Sequence, residues 1–342
     1  MIHLTPEQWD SLDGAVDRGL EFLSRHQNLD GSIDAPPLGQ PAVTSFGVIA
    51  FLGRGHVPGE GRYGDLLSRA IDYVLTKQQP DGLFCDLPKG RQWNIYGAYH
   101  HPISGLMLGE VYGMTQSPRQ ERIRQAIDRA LAYSRKRQTA FTEPEEERGG
   151  WRYLLLDECN AALSSTAWEL MFDRSARNAE FDVPQEYVDE AIAFVKRCYV
   201  PQMGTFSYGL SSYRRKQFSR SMAGAGILSL SLAGEHRSEM AMQTASFVLS
   251  HPFDDFNRGN LTREDRYFYG AYYCSQAMFQ LGGEHWQKFY PGLLKTFFEN
   301  QLENGAWPRE ANKDEHLGFC YSTSFALLAL TPPYQLLPIY QR

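Results

Sequence analysis

The sequence predicts an all-α protein: six helical hairpins closed into a double ring, one domain over residues 1–342. Three observations predict it. A short turn pattern recurs about every fifty residues, the period of a stacked supersecondary unit. The segment before each turn carries apolar residues at helical spacing on one side, as in Val16-Leu20-Leu23 and Ala126-Ala130-Tyr133. The segment after it is apolar on most sides, which marks a buried helix.

Taken in order, the first turn follows Arg18-Gly19-x-x-Phe22-Leu23-x-x-x-Gln27-x-x-Asp30-Gly31-Ser32. The second follows Arg69-Ala70-x-x-Tyr73-Val74-x-x-x-Gln78-x-x-Asp81-Gly82-x-Phe84. A third starts at Arg129-Ala130-x-x-Tyr133, reaches Gln138, and takes an acidic insertion from Glu143 to Glu147 before Gly149-Gly150-Trp151. The fourth runs from Phe194-Val195 to Gly204-Thr205-Phe206, the fifth is degraded at Asn257-Arg258-Gly259, and the last reads Gln301-x-x-Asn304-Gly305-Ala306-Trp307. Taking the glycines at 31, 82, 150, 204, 259 and 305, the intervals are 51, 68, 54, 55 and 46 residues. The units therefore span about 5–55, 56–114, 115–181, 182–235, 236–283 and 284–342. Thr5-Pro6-Glu7-Gln8 supplies a capping box at the first helix, and Ser117-Pro118-Arg119-Gln120 repeats the pattern. Buried segments follow at Val43–Leu52, Ile103–Val111, Ser219–Ala233 and Tyr321–Leu330. Asp/Asn-Gly turns provide the positive-φ residue that each reversal needs. An open solenoid is the competing arrangement. Six units, with inner helices too apolar to line a solvated groove, favour closure.

Composition narrows the function. With 42% hydrophobic residues the chain can bury a large core, and a formal charge of −6 argues against nucleic acid as a partner. Arg214-Arg215-Lys216 reads as a solvated turn. The N-terminus lacks the basic and apolar regions of a signal peptide, and no apolar run is long enough to span a bilayer. Five scattered cysteines suit a reducing compartment. A cytoplasmic location is expected, with the apolar Tyr334–Ile339 segment as a point of peripheral membrane contact.

The turn pattern resembles the QW repeat of squalene–hopene and oxidosqualene cyclases, in the terpenoid cyclase and protein prenyltransferase superfamily. Basic, small, aromatic, Gln, Gly and aromatic positions recur in register, with Phe84, Trp151, Phe206 and Trp307 after the glycine and Ile33 in the first unit. More closely, the chain looks like single-domain prenyltransferase/squalene oxidase repeat proteins of bacteria such as planctomycetes. The segments that carry this are Tyr99-His100-His101-Pro102-Ile103, Glu110-Val111-Tyr112-Gly113-Met114-Thr115, Gly149-Gly150-Trp151-Arg152-Tyr153, Ser175-Ala176-Arg177-Asn178-Ala179 and Leu337-Pro338-Ile339-Tyr340-Gln341-Arg342. The resemblance implies an (α/α)6 toroid, with glutamine amides tying successive helices, and an isoprenoid ligand in a central cavity.

Inner helices of such a ring aim their N-termini at the cavity. Its expected lining is Tyr96, Tyr99, Trp168, Met222 and Tyr321, together with Tyr267, Tyr269, Tyr272, Tyr273 and Phe319. Aromatic faces suit polyisoprene chains and attract carbocations; for each ring, filling the core between the two helical layers is the competing role. His101, beside His100, is a candidate base or hydrogen-bond donor, against a histidine that merely ties down a turn. A class II cyclase takes its acid from an Asp-x-Asp-Asp-Thr motif. Alignment on Thr166-Ala167-Trp168 puts Ala162-Leu163-Ser164-Ser165 there, with Ser164 at the proton-donor position. A hydroxyl cannot protonate an unactivated alkene, so Asp157 and Glu158 become the candidate acids, unless they form an exposed loop pair. The zinc ligands of protein prenyltransferases are missing: the fifth inner helix has Tyr269-Gly270-Ala271, and the sixth has Ser322 where the histidine belongs. A remodelled set from Asp314, His316 and Cys320, with Asp265 nearby, would be the exception; no metal and no cofactor are expected. Asp254-Asp255-Phe256-Asn257 lacks the second acidic pair of a diphosphate site. Three functions follow: an isoprenoid-handling enzyme with a non-standard acid, a non-catalytic lipid- or protein-binding toroid, and a sugar lyase or hydrolase on a similar barrel.

Overall fold

Alternate helices differ in how much of their surface is covered, and that difference builds the ring. The computed structural model describes residues 4–140, 144–155, 160–256, 265–310 and 314–341. They hold twelve α-helices: α1 (Pro6–Arg25), α2 (Ala42–Gly53), α3 (Gly64–Thr76), α4 (Arg91–Val111), α5 (Arg119–Thr139), α6 (Leu163–Asn178), α7 (Gln185–Arg197), α8 (Arg220–Leu232), α9 (Glu239–Ser250), α10 (Tyr267–Leu281), α11 (Gly283–Asn300) and α12 (Phe319–Leu330). The odd helices bury one stripe, as α1 does through Leu12, Val16, Leu20 and Leu23. In the even helix α2 every residue is buried. Each even helix packs on the next even one, and α12 packs on α2. The inner ring is closed, giving the (α/α)6 toroid.

The turn chemistry explains the outer ring. In four units a glutamine at the end of an outer helix donates its amide both across its own turn and to the following outer helix. Gln27 reaches the Gly31 and Leu66 carbonyls at 3.0 and 2.8 Å, and Gln78 reaches Gly82 and Ala126 at 3.2 and 2.8 Å. Gln138 reaches Gly149 and Tyr187 at 3.1 and 3.0 Å. Gln301, in the last unit, reaches Gly305 and Ala15, both at 2.9 Å, and so ties the end of the chain to α1. The third turn pivots on Gly149 rather than Gly150. Gly149 has φ +86°, and a Cβ there would lie 2.1 Å from the Glu190 carbonyl oxygen of the neighbouring outer helix. At the fourth turn Tyr199, paired with Phe206, stands where Gln27 pairs with Ile33 and Gln78 with Phe84, and the turn is bridged by a two-stranded antiparallel ribbon, β1 (Tyr199–Val200) with β2 (Thr205–Phe206). The fifth-unit turn at Asn257-Arg258-Gly259 lies outside the described residues.

Helix starts divide the same way. Thr5 and Gln8 form the reciprocal capping box, with bonds of 3.2 and 2.9 Å, a device that stabilises a helix by about 1 kcal/mol. Ser117 does not cap α5. Its neighbour Gln120 instead accepts from the Gly113 N–H and the Thr115 hydroxyl. Helix α4 starts at Arg91, so His100 and His101 sit within it and do not open it. The added turns raise Ile95, Tyr96 and Tyr99 into the wall of the central space.

Candidate functional site

All six inner helices point their N-terminal halves toward one end of the ring, where they surround a cavity of about 530 Å³. Its floor is aromatic. Phe46 of α2 lies 5.4 Å from Trp168 of α6 and 4.5 Å from Phe325 of α12, between ring centroids. Tyr269 of α10 completes the floor, 5.7 Å from Phe325, with its hydroxyl accepting from the Trp168 indole at 2.9 Å. One layer deeper, Tyr272 stacks on Trp168 at 5.6 Å with its plane 9° from parallel.

The wall above the floor is polar. Tyr99 is the hub, its hydroxyl 2.9 Å from Ser164 Oγ, 3.3 Å from the Tyr208 hydroxyl and 3.5 Å from that of Tyr153. Tyr153 and Tyr208 are themselves 2.5 Å apart. Burial drives Tyr99 and Tyr153 well above the ordinary tyrosine range, so both stay neutral donors at any working pH. Arg214 lies over the rings of Tyr208 and Tyr153, at 5.3 and 5.7 Å, anchored by the Asn160 and Ala161 carbonyls at 2.7 and 3.2 Å. On the other side Arg266 pairs with Asp314, whose second oxygen accepts from Tyr321 at 3.1 Å. Burial opposes the charge on Arg266, but the Asp314 carboxylate outweighs it and strengthens the cation. His100 also lines the cavity. The Leu38 carbonyl can only accept, so His100 Nε2 carries the hydrogen, and the buried Nδ1 is an acceptor without a protein partner. Burial pushes this imidazole down to about 4.

Of the residues expected at the site, Tyr96, Tyr99, Ser164, Trp168, Met222, Tyr269 and Tyr321 line this cavity together. Others lie elsewhere. Tyr267 turns outward between the rings and donates to the Phe253 carbonyl at 3.1 Å. Tyr272 and Tyr273 are buried behind the floor, and Phe319 is 40% exposed beneath Arg309. His101 faces the layer between the rings. Its Nδ1 accepts from the Phe84 N–H at 3.2 Å, the station that Thr44, Thr166 and Thr323 occupy in the other turns. Its Nε2 donates to Ser134, which donates to Glu169, itself paired with Arg137 at 2.7 Å. Burial first, and then Arg137, depress this imidazole to about 3. Asp157 and Glu158 lie outside the described residues.

The residues that could have made a zinc site are engaged separately. Asp265 pairs with Arg220 at 2.8 Å, and His316 bonds the Tyr96 hydroxyl at 2.9 Å. Burial pushes the Cys320 thiol up to about 12. Among the described residues no cluster of three metal-ligating side chains occurs.

Sequence reasoning missed Tyr153, Tyr208, Arg214 and Arg266. The tyrosines had a signal: each sits two residues after a turn aromatic, Trp151 or Phe206. Arg214 was read as part of a solvated turn, and only the fold brings that turn to the cavity. The Tyr334–Ile339 segment crosses the opposite end of the ring with Leu337 and Ile339 buried, leaving Leu336 as its exposed large hydrophobic side chain. Among the described residues no helix is long and apolar enough to cross a membrane.

No family model matches the chain, and no curated protein matches it. Solved structures do. The chain is similar to the type II terpene cyclase MstE from Scytonema, in complex with geranylgeranyl dihydroxybenzoate as substrate, at TM-score 0.62 and 14% identity over 98% of this chain and 100% of that one. It is also similar to an unsaturated glucuronyl hydrolase specific for heparin (TM-score 0.62, 12% identity, 95% of this chain and 97% of that one). A glycosidase variant in complex with glucose matches at TM-score 0.60 and 13% identity, over 98% of this chain and 100% of that one. At such identities the likeness establishes the shared toroid and leaves the chemistry to the site.

Proposed function

We propose that the protein handles an isoprenoid in the open end of the ring, as a terpene cyclase-like member of the QW-repeat class in which binding, rather than alkene protonation, is the primary act. The observation that carries this reading is the floor of Phe46, Trp168, Tyr269 and Phe325, a contiguous aromatic surface contributed by four inner helices. Such a surface takes up a branched apolar chain and attracts positive charge that develops along it.

Ordinary class II chemistry finds no donor in the described wall. The position that the resemblance assigns to the acid is Ser164, held by Tyr99, and the carboxylate present, Asp314, is engaged by Arg266 and Tyr321. A sugar hydrolase needs two working carboxyl groups about 5–10 Å apart, and among the described lining residues Asp314 is the one carboxylate, already engaged. In the catalytic variant of this reading, the acid comes from Asp157 or Glu158.

The test is gas chromatography–mass spectrometry after incubating the pure protein with squalene and, in parallel, with farnesyl and geranylgeranyl diphosphate. Unchanged compound that co-purifies with the protein supports binding. A new cyclic product, lost on Asp157→Asn or Glu158→Gln, moves the reading to a cyclase with a relocated acid. If nothing binds and nothing reacts, the isoprenoid reading is wrong.

A further inference from the structure

We propose that the polar wall of the cavity is an anion subsite, formed by Arg214 and Arg266 on either side of the Tyr99–Tyr153–Tyr208–Ser164 hydroxyl cluster, which holds the negatively charged head group of an amphiphilic ligand. The ligand's chain then lies on the aromatic floor, and for that part the proposal rests on the isoprenoid reading above. The head-group part stands on separate observations.

The first is charge. The described lining carries Arg91, Arg214 and Arg266 against Asp314, three positive groups and one negative, so the local balance is +2 in a chain whose formal charge is −6. A concentration of cations in a low-dielectric recess of an acidic protein focuses potential on whatever enters. The second is dipole direction. Six inner helices begin at this end, and each presents the positive end of its backbone dipole there. The third is donor geometry. Tyr99, Tyr153, Tyr208 and Ser164 bond only one another in the cluster, so their hydroxyl hydrogens can turn toward an incoming oxyanion without abandoning a carboxylate. Arg214 is tied to two backbone carbonyls through a single nitrogen, Nη1, and its guanidinium has further N–H groups beyond that one. Its position is thus set before any ligand arrives, which lowers the entropy lost on binding.

An uncharged hydrocarbon uses none of this. The class of ligand that uses both parts of the cavity is a prenyl chain ending in a diphosphate or a carboxylate. These two sources share the oxyanion, and they differ in charge.

The experiment is isothermal titration of the full chain with geranylgeranyl diphosphate, geranylgeranoic acid, geranylgeraniol, inorganic diphosphate and an unsaturated glucuronyl disaccharide, at low and high salt. Both anionic prenyl compounds are expected to bind about tenfold or more tighter than the alcohol, an advantage that shrinks at high salt; whichever anion gains more identifies the source. Arg214→Gln is expected to erase most of that advantage and to lower the anions' affinity far more than the alcohol's. Arg91→Glu, at an exposed position, keeps the test valid should Arg214→Gln not fold, and is expected to weaken the anions more than the alcohol. Equal affinity of alcohol and anions, or anion binding insensitive to both variants, overturns the subsite while the isoprenoid reading stands. Binding of diphosphate or of the acidic disaccharide, with no prenyl compound bound, upholds the subsite and removes the isoprenoid.

Discussion

Where the inner helices begin, hydroxyls and guanidiniums surround open space; where the same helices end, the chain covers its own polar groups. At the closed end the last carbonyls of α12 are taken by side chains of its neighbours. Ser275 reaches Ala329 at 2.6 Å, Gln276 reaches Leu328 at 2.9 Å and Tyr290 reaches Leu330 at 2.6 Å. The C-terminal segment then lies across the axis. The Ile339 N–H donates to Glu110, Asn178 donates to the Pro338 carbonyl, and Tyr340 meets Tyr272 at 2.6 Å. Tyr272 is also the ring that stacks on Trp168 in the cavity floor. Two side chains, Trp168 and Tyr272, therefore separate the cavity from the plug. One set of helices leaves polar groups around open space at one end and consumes them internally at the other, so mutations at the two ends should affect different observables.

The largest effect is expected at the closed end. Ile339→Ala removes a buried side chain from the plug and should lower stability by about 3 kcal/mol, read as a shift in the urea midpoint. Ligand affinity at the open end should change far less. A loss of affinity as large as the loss of stability would show that the two ends act as one unit.

Next comes pH. Burial raises Glu110 from 4.5 to about 7, partly offset by hydrogen bonds from Ser175 and the Ile339 N–H. The fold prefers the protonated carboxyl. Its contribution is complete below about pH 4.5, declines as pH rises and is lost above about 7, some ~3 kcal/mol at most. Thermal melts from acid to neutral pH should show this decline in the wild type and a flatter profile in Glu110→Gln. Identical profiles would mean that Glu110 is not the titrating group.

Gln301→Ala should cost about 2 kcal/mol by leaving the Ala15 and Gly305 carbonyls without their amide donor. A cost no larger than that of an exposed Gln→Ala change would mean that the link contributes little. The smallest stability effect is expected at the open end. Tyr99→Phe should cost under about 1 kcal/mol, because Tyr153 and Tyr208 retain one another and Ser164 lines the open cavity, yet it should weaken an anionic ligand measurably in titration.

The architecture was legible because it rests on periodic chemistry. The Gln–Gly–aromatic pattern names turns that the same glutamine closes locally and ties to the neighbouring outer helix, and the contrast between striped and all-apolar helices separates the rings. Misreadings arose where one residue type serves two purposes. His101 looked catalytic beside Tyr99, but it replaces a threonine in a turn. The adjacent glycines at 149 and 150 differ only in backbone angle. The tyrosines of α10 share one helix, yet Tyr267, two residues before Tyr269, points to another face and turns outward, while Tyr272, three residues after it, lies on the same face one turn deeper, beneath the floor. Beyond Tyr99 and Ser164 the polar wall was nearly invisible, because Tyr99, Ser164, Tyr208, Arg214 and Arg266 come from four units and meet only after the ring closes.

The bond from Gln301 back to α1 also changes what kind of repeat protein this is. In a linear array the first and last units have one neighbour each; they fray first, and a unit can be added or removed at little cost to the rest. Here the sixth unit abuts the first, and Tyr334 reinforces the seam by donating to Asp13 at 2.6 Å. Every unit has two neighbours, so the molecule has no end at which unzipping can start. Deleting one unit would leave a gap that the other five cannot span, and the chain should melt in a single transition. By the same logic the break between the sixth unit and the first is only one of several places where the circle could be cut: a permuted chain opened at another exposed turn, with the sixth and first units joined, should build the same ring.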